Sequence, residues 1–275
     1  TINGDYALSR RFTPEQINKI VKLAQFDKSF ANELINDTVP SYRGTEVYRL
    51  DSEAICAVME NISTCKDFMK EIINAKNNDK SSFNYGKYEY TSSDITNLAK
   101  AAKIDAEYTR ELLNTYEEGY RNQIYKRFNS ENILNIITAG KNNKALMKEL
   151  VNSSKEHPYD KIHDVVYNAQ GIVQILNFEK SIEDKAFVKD IFADIEFKQN
   201  RLARVAIILN NRRNPELNAM FKELFYDREF PNDSIPGIIE SLNSDNIALL
   251  RKLKVNPDFP KNRIASVLQV TTEYN

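Results

Sequence analysis

His157 and His163 are the only imidazoles in the chain, and Glu156, Asp160, Asp164 and Tyr167 lie around them. The pattern predicts a short helix over residues 159–170, set off by the break that Pro158 forces. On such a helix Asp160, His163, Asp164 and Tyr167 share a face, and a metal ion is the chemistry that face could carry. Zinc-type spacing, two histidines four apart with a glutamate, is missing, so an exposed polar face and no metal is the expectation. Cys56 and Cys65, the only cysteines, fall on or beside apolar helical positions and are expected as buried reduced thiols rather than a disulfide or redox pair. Seven glycines form no phosphate-cradling loop, and no serine or cysteine stands in a nucleophile-type turn. The paired acids Glu117 and Glu118 read as ordinary connector charge. No catalytic residue and no cofactor is expected, and the chain is not expected to be an enzyme in its own right.

Rings and cations are the other candidate chemistry. Tyr42 with Arg43, Tyr48 with Arg49, Tyr120 with Arg121, and Tyr125 with Lys126 and Arg127 would gather stackable rings and positive charge on one edge, a combination that binds single-stranded nucleic acid. Lys198, Arg201, Arg204, Arg212 and Arg213 form a second basic cluster with only Glu196 and Glu216 near it in sequence. Of these, Tyr48, Arg49, Tyr120, Arg121, Tyr125, Lys126, Arg127, Arg201, Arg204, Arg212 and Arg213 are the candidate contacts for nucleic acid or a protein partner. Tyrosines packed on a neighbouring segment and arginines on an exposed helix face would account for the same residues. An acid also recurs, as Glu33, Glu71, Glu111, Glu149, Asp190 and Glu223. Lys70, Arg110, Lys148, Lys189 and Lys222 precede five of the six, so solvated pairs are expected rather than an acidic stripe.

The elements that must position these residues are read from residues 128–152. Ile133, Ile136 and Ile137, then Leu146, Met147, Leu150 and Val151, follow helical spacing in two bursts around a polar break at 141–143. That is a helix, a turn and a second helix. Asn129 can cap the first helix, Phe128 stands where a staple would pack on Ile133, and Asn152 closes the second. The same set recurs from residues 12, 50 and 90: staples Phe12–Ile17, Leu50–Ile55 and Tyr90–Ile95, behind caps Thr13, Asp51 and Thr91. The periods of 38, 40 and 38 residues are those of stacked helical pairs.

The expected fold is all-α: a right-handed α-solenoid of about seven irregular helix-turn-helix repeats of roughly 38–40 residues. Residues 1–152 hold the regular repeats, and 153–275 irregular ones that continue the same stack. A fifth unit is read in Ile172, Ile175 and Leu176 with Phe187 to Phe192, a sixth from Leu202 to Phe225, and a seventh from Phe230 to Leu253. Phe259, Ile264, Val267 and Leu268 restate half a unit, which suggests part of a larger polypeptide. Connectors 37–49, 75–89 and 115–127 each carry one glycine (Gly44, Gly86, Gly119) and then a tyrosine (Tyr48, Tyr88, Tyr125). They are expected as a third short helix or an extended piece along one edge.

The stretch FTPEQINKI at residues 12–20 resembles the start of the DNA-reading repeats of transcription-activator-like effectors, and mitochondrial termination-factor repeats open similarly. That resemblance implies base reading at the turn between the helices. Here those positions, Leu23 with Ala24, Asn61 with Ile62 and Ala139 with Gly140, are mostly apolar, and the periods are longer, so base reading is not carried over.

Across all 275 residues 41% are hydrophobic and the net charge is −1, with a pI near 6.2. No global field draws polyanions, and any such binding must be local. No apolar run approaches the ~18 residues of a membrane span and no signal-peptide core opens the chain, so the expected setting is cytoplasmic or otherwise intracellular, with no membrane partner. Richness in Asn, Lys and Ile fits an AT-rich genome such as a phage's, and makes a virion one such setting. The expected function is a non-catalytic scaffold or protein-interaction domain, its partner a protein or flanking domains of the same polypeptide. The second reading is a nucleic-acid-associated helical module, such as an accessory domain of a large phage or bacterial polymerase or processing machine.

Overall fold

The computed structural model describes residues 11–40, 46–76, 87–118, 124–156, 163–165, 167–227, 229–243 and 246–273; for 118, 154–156, 163–165, 200, 272 and 273 it describes the backbone alone. Fifteen α-helices and six three-residue strands make up these residues, so the protein is all-α. The described helices include none long and apolar enough to cross a membrane. Contacts divide the chain into two compact units, Thr1–Lys141 and Asn142–Asn275.

In the first unit the helices are α1 (Pro14–Ala24), α2 (Lys28–Ile35), α3 (Ser52–Met59), α4 (Ile62–Asn74), α5 (Ser92–Leu113) and α6 (Ser130–Gly140). Each start is set locally. The side chains of Thr13, Asp51, Thr91 and Asn129 accept from the amide three residues on, at 3.3, 2.8, 3.2 and 2.8 Å. Each satisfies an amide that the first turn cannot. Phe12, Leu50 and Phe128 are buried ahead of them, and Ile55, Ile95 and Ile133 are fully buried. Helix α1 packs on α3, α3 on α5, and α5 on α6.

A second tier of caps opens the second helices. Asp27 Oδ1 accepts from Phe30 N at 3.0 Å, and Asp105 Oδ1 from Tyr108 N at 3.0 Å. Helix α5 is in fact two helices meeting at Asp105, whose φ of −154° and ψ of 94° leave the helical region. Cys65 takes the matching place in α4 with φ −147° and ψ 44°, and its thiol cannot cap as a carboxylate does. Cys65→Asp is therefore expected to raise stability by about 0.5–1 kcal/mol, by capping the Phe68 amide and placing an anion at a helix start. The midpoint of urea unfolding reads this directly; an unchanged or lower midpoint would refute the cap.

The connectors take the extended form of the two expected. Strands β1 (Thr38–Pro40) and β2 (Glu46–Tyr48) pair antiparallel with Thr38 opposite Tyr48. Strands β3 (Tyr116–Glu118) and β4 (Ile124–Lys126) repeat this with Tyr116 opposite Lys126. Between them Lys76 and Tyr88 form a single antiparallel bridge at the corresponding place. Gly44, Gly86 and Gly119 lie outside the described residues.

The second unit holds α7 (Lys144–Asn152), β5 (Ser154–Glu156), β6 (His163–Val165), α8 (Ala169–Ser181), α9 (Lys185–Ala193), α10 (Ile195–Asn200), α11 (Leu202–Arg212), α12 (Pro215–Tyr226), α13 (Ile235–Ser241), α14 (Ile247–Val255) and α15 (Ile264–Glu273). Short 3-10 turns, Asn232–Ser234 and Lys261–Arg263, lead into α13 and α15. The helix expected over 159–170 is corrected: β5 and β6 form a third antiparallel hairpin, with Ser154 opposite Val165, and α8 begins only at Ala169. The cause is visible in sequence. Tyr167, Asn168 and Ile172 repeat the staple, cap and core spacing, and Asn168 Oδ1 accepts from Gly171 N at 2.8 Å, so the helix starts at this cap and not before it.

Beyond this point the staple residues Phe197, Phe230 and Phe259 stand at shorter spacings, because only three residues separate the end of α9, α12 or α14 from each of them. No hairpin intervenes there. Helix α8 packs on α11, α11 on α13, and α13 on α15. The core of this unit is aromatic: Phe221, fully buried, has ring centroids of Phe187, Phe197, Phe178 and Phe225 at 5.4, 5.8, 5.9 and 6.3 Å.

Candidate functional site

On the hairpin side of the first unit, the described cations and Tyr48 singled out in sequence engage other residues rather than one another. The Arg11 guanidinium lies 3.9 Å from the centroid of the Tyr48 ring, and its Nη1 donates to the Ile35 carbonyl at 2.5 Å. One period on, Arg49 lies 3.8 Å over the Tyr88 ring while its Nε donates to Asp37 Oδ2 at 2.7 Å. Lys76 Nζ sits 2.9 Å from the same Tyr88 ring. At the next step Glu89 replaces the arginine and Lys126 the tyrosine. There the Lys126 ammonium donates to the Glu89 carboxylate and the Tyr90 hydroxyl, and burial lifts that hydroxyl's pKa to about 12. Arg127 packs 4.8 Å over Phe128 with Glu117 at 4.0 Å.

Such cation–ring contacts are worth about 0.5–2 kcal/mol each according to how dry they are. The Arg49 and Arg127 side chains are only 7% and 6% exposed, so neither guanidinium is presented to a phosphate. Tyr125 and Tyr48 remain half exposed. Tyr42, Arg43, Tyr120 and Arg121 lie outside the described residues.

The second basic cluster is dismantled by partners from distant sequence. Lys198 is buried and pairs with Glu149. Arg201 meets Asp233 and Glu196, Arg204 meets Glu240, and Arg212 donates to the Glu240 carbonyl at 2.6 Å and to that of Leu242, closing the C-terminus of α13. Counting nearby acids along the sequence could not find these, because most partners come from about one helical pair further on. Of this cluster only Arg213 keeps a guanidinium with no hydrogen-bond or ion-pair partner among the described residues.

Four of the six recurring acids, Glu149 among them, also meet partners from distant sequence. Glu71 meets Arg110 at 2.9 Å, Asp190 accepts from the Tyr226 hydroxyl at 2.5 Å, and Glu223 lies 3.8 Å from Lys254. Asp27 and Asp184, each a helix cap, also take Lys66 and Lys222, and these ammonium bonds with the cap bonds hold both carboxyls below the usual carboxylate range.

Among the clefts lined by described residues, one in each unit gathers charged or amide side chains. One, of about 350 Å³, is lined in the first unit by Lys19, Glu53, Cys56, Glu60, Lys100 and Lys103. Its charges are mutually paired: Glu60 bridges Lys19 and Lys103 at 2.7 Å each, and Lys100 holds Glu53 at 2.6 Å. The bonds from Lys103 and Lys19 keep Glu60 below the usual carboxylate range. Burial pushes the Cys56 thiol up, which suits a core residue and not a thiolate nucleophile. Cys65 is likewise a free thiol raised by burial.

The other cleft, of about 510 Å³, lies in the second unit among α8, α11 and α12. Asn177, Asn211, Asn218 and Arg213 line it, over a floor where Asn210 Nδ2 donates to Gln174 at its carbonyl (2.9 Å) and Oε1 (2.8 Å).

The shared helical face proposed for Asp160, His163, Asp164 and Tyr167 does not exist, since 163–165 form a strand and Tyr167 precedes the cap. Tyr167 is buried, its hydroxyl donating to the Lys198 carbonyl. His157 and Asp160 lie outside the described residues, and among those described no group of histidine, cysteine and acid side chains could hold a metal. No protein-family model, curated protein or solved structure matches the chain.

Proposed function

We propose that this chain is a non-catalytic helical-repeat scaffold or protein-interaction domain, its helical pairs stacked as a right-handed solenoid of about seven irregular repeats, with a protein or flanking domains of the same polypeptide as partner. The observation that carries the reading is the pairing of Arg11 with Tyr48 and of Arg49 with Tyr88. The ring-and-cation set that would otherwise argue for nucleic acid serves here to join one helical pair to the next. A stack of this kind offers a long continuous surface, and such surfaces are ordinarily used for protein partners.

The reading predicts that the whole chain shows no micromolar binding to single- or double-stranded DNA or RNA at physiological salt. Fluorescence anisotropy with labelled oligonucleotides over a salt series checks it. Micromolar affinity with a steep dependence on salt would instead support the nucleic-acid module, since that slope counts neutralised phosphates.

A further inference from the structure

The cleft among α8, α11 and α12 carries an inference that rests on, and narrows, the protein-interaction reading. Helix α11 ends at Arg213 with φ 46° and ψ 39°, the one left-handed non-glycine residue among those described. That conformation is favoured by glycine and resisted by a side chain with a Cβ, so a plain helix stop would place glycine here. Arginine stands there instead, with its guanidinium unpartnered at the rim of the cleft. Around it Asn177, Asn211 and Asn218 present carboxamides that are equally without hydrogen-bond partners among the described residues, and no acid lines the cleft.

A carboxamide carries a donor and an acceptor side by side, which matches the N–H and C=O of a peptide group in an extended chain. A single unpaired guanidinium suits one carboxylate, taken through two parallel N–H···O bonds. It does not suit a phosphate backbone, which needs several cations, and Arg201, Arg204 and Arg212 are already engaged. The geometry points to this cleft as the docking site for an extended acidic peptide segment, with Arg213 holding a carboxylate and the three asparagines its backbone.

The test is a titration of the 15N-labelled full chain with the acetylated peptide (Ser-Glu)4, against (Ser-Gln)4 and dodecathymidylate. The readouts are the side-chain amide signals of Asn177, Asn211 and Asn218 and the Arg213 Nε–H. Saturable shifts at these four groups with the acidic peptide are expected, weakened roughly tenfold or more by R213Q, the loss of a charge-assisted pair. R213G guards against a folding artefact: it should abolish the shifts while raising Tm by about 1–3 °C, because glycine relieves the left-handed backbone. A lower Tm for R213G would remove the argument that arginine is kept there for binding. Absence of shifts up to millimolar peptide, or equal shifts with (Ser-Gln)4, overturns the proposal. Shifts confined to other residues overturn the cleft alone and leave the protein-interaction reading standing. Shifts at the four groups with dodecathymidylate and not the peptide overturn both.

Discussion

Phe221→Ala is expected to cost about 3–5 kcal/mol, the largest loss from any single truncation considered for the second unit. The ring is fully buried and touches four other phenylalanine rings contributed by α8, α9, α10 and α12. Removing it takes away the transfer energy of the ring, opens a cavity that the stiff neighbouring rings fill poorly, and deletes edge-to-face contacts worth about 0.5–1.5 kcal/mol per pair. Since a whole domain is stable by only about 5–15 kcal/mol, the variant should sit near its unfolding threshold. Phe221→Leu, which keeps an apolar group in place, should lose far less. Urea unfolding by circular dichroism gives the total, and hydrogen exchange at the α12 amides places it. The exposed Phe26, 70% accessible, is the matched control, for which alanine should change stability by less than about 0.5 kcal/mol. A loss for Phe221→Ala no larger than the control's would show that these rings do not form the core.

The second large effect concerns Asp37. Its carboxylate is 16% exposed and faces Arg49, which is 7% exposed, so truncation strands a buried guanidinium against the Tyr88 ring alone. Asp37→Ala is expected to cost about 2–3 kcal/mol, somewhat below the full penalty for breaking a buried pair because the ring still contacts the cation. The double variant Asp37→Ala/Arg49→Met should recover most of that loss, since an apolar chain of similar length replaces the charge and leaves nothing unpaired. A double variant as unstable as Asp37→Ala alone would mean that the cost comes from the hairpin backbone, where Arg49 N also donates to the Asp37 carbonyl at 3.0 Å.

What could be read in the sequence was whatever is decided within one turn of helix. Thr13, Asp51, Thr91 and Asn129 were legible as caps because a cap acts on an amide three residues away, and the staples because they act over five. Asp27, Asp105, Asn143 and Asp184 cap the second helices by the same rule, within polar breaks whose apolar spacing carries no sign of them. Tyr167 and Asn168 repeat the unit, while the break at Pro158 fits a helix start as well as a hairpin. Three-residue strands offer no period to detect, and β1 contains Pro40, which argues against strand when seen alone. The candidate site was the least legible part. Whether Arg49, Lys126 or Arg201 is available to a ligand depends on Asp37, Glu89 and Asp233, and two of those three partners lie over thirty residues away.

The ladder in which Arg11 stands to Tyr48 as Arg49 stands to Tyr88 has a consequence for how such a chain can change length. These two joints are written alike, whereas the next one puts Glu89 and Lys126 in place of the arginine and the ring. Excising residues 12–49 would set Arg11 directly before Leu50, in the seat that Arg49 holds now, with Tyr88 as the ring in front of it but without Asp37, the carboxylate that Arg49 meets there. Loss of a whole helical pair therefore keeps the ring contact and the spacing of caps and staples at the cost of one ion pair, while a gain or loss of a few residues within a pair shifts every cap and staple after it out of place. A change by a whole unit is thus the milder edit, and the carboxylate of Asp37 is what the new joint would have to supply again.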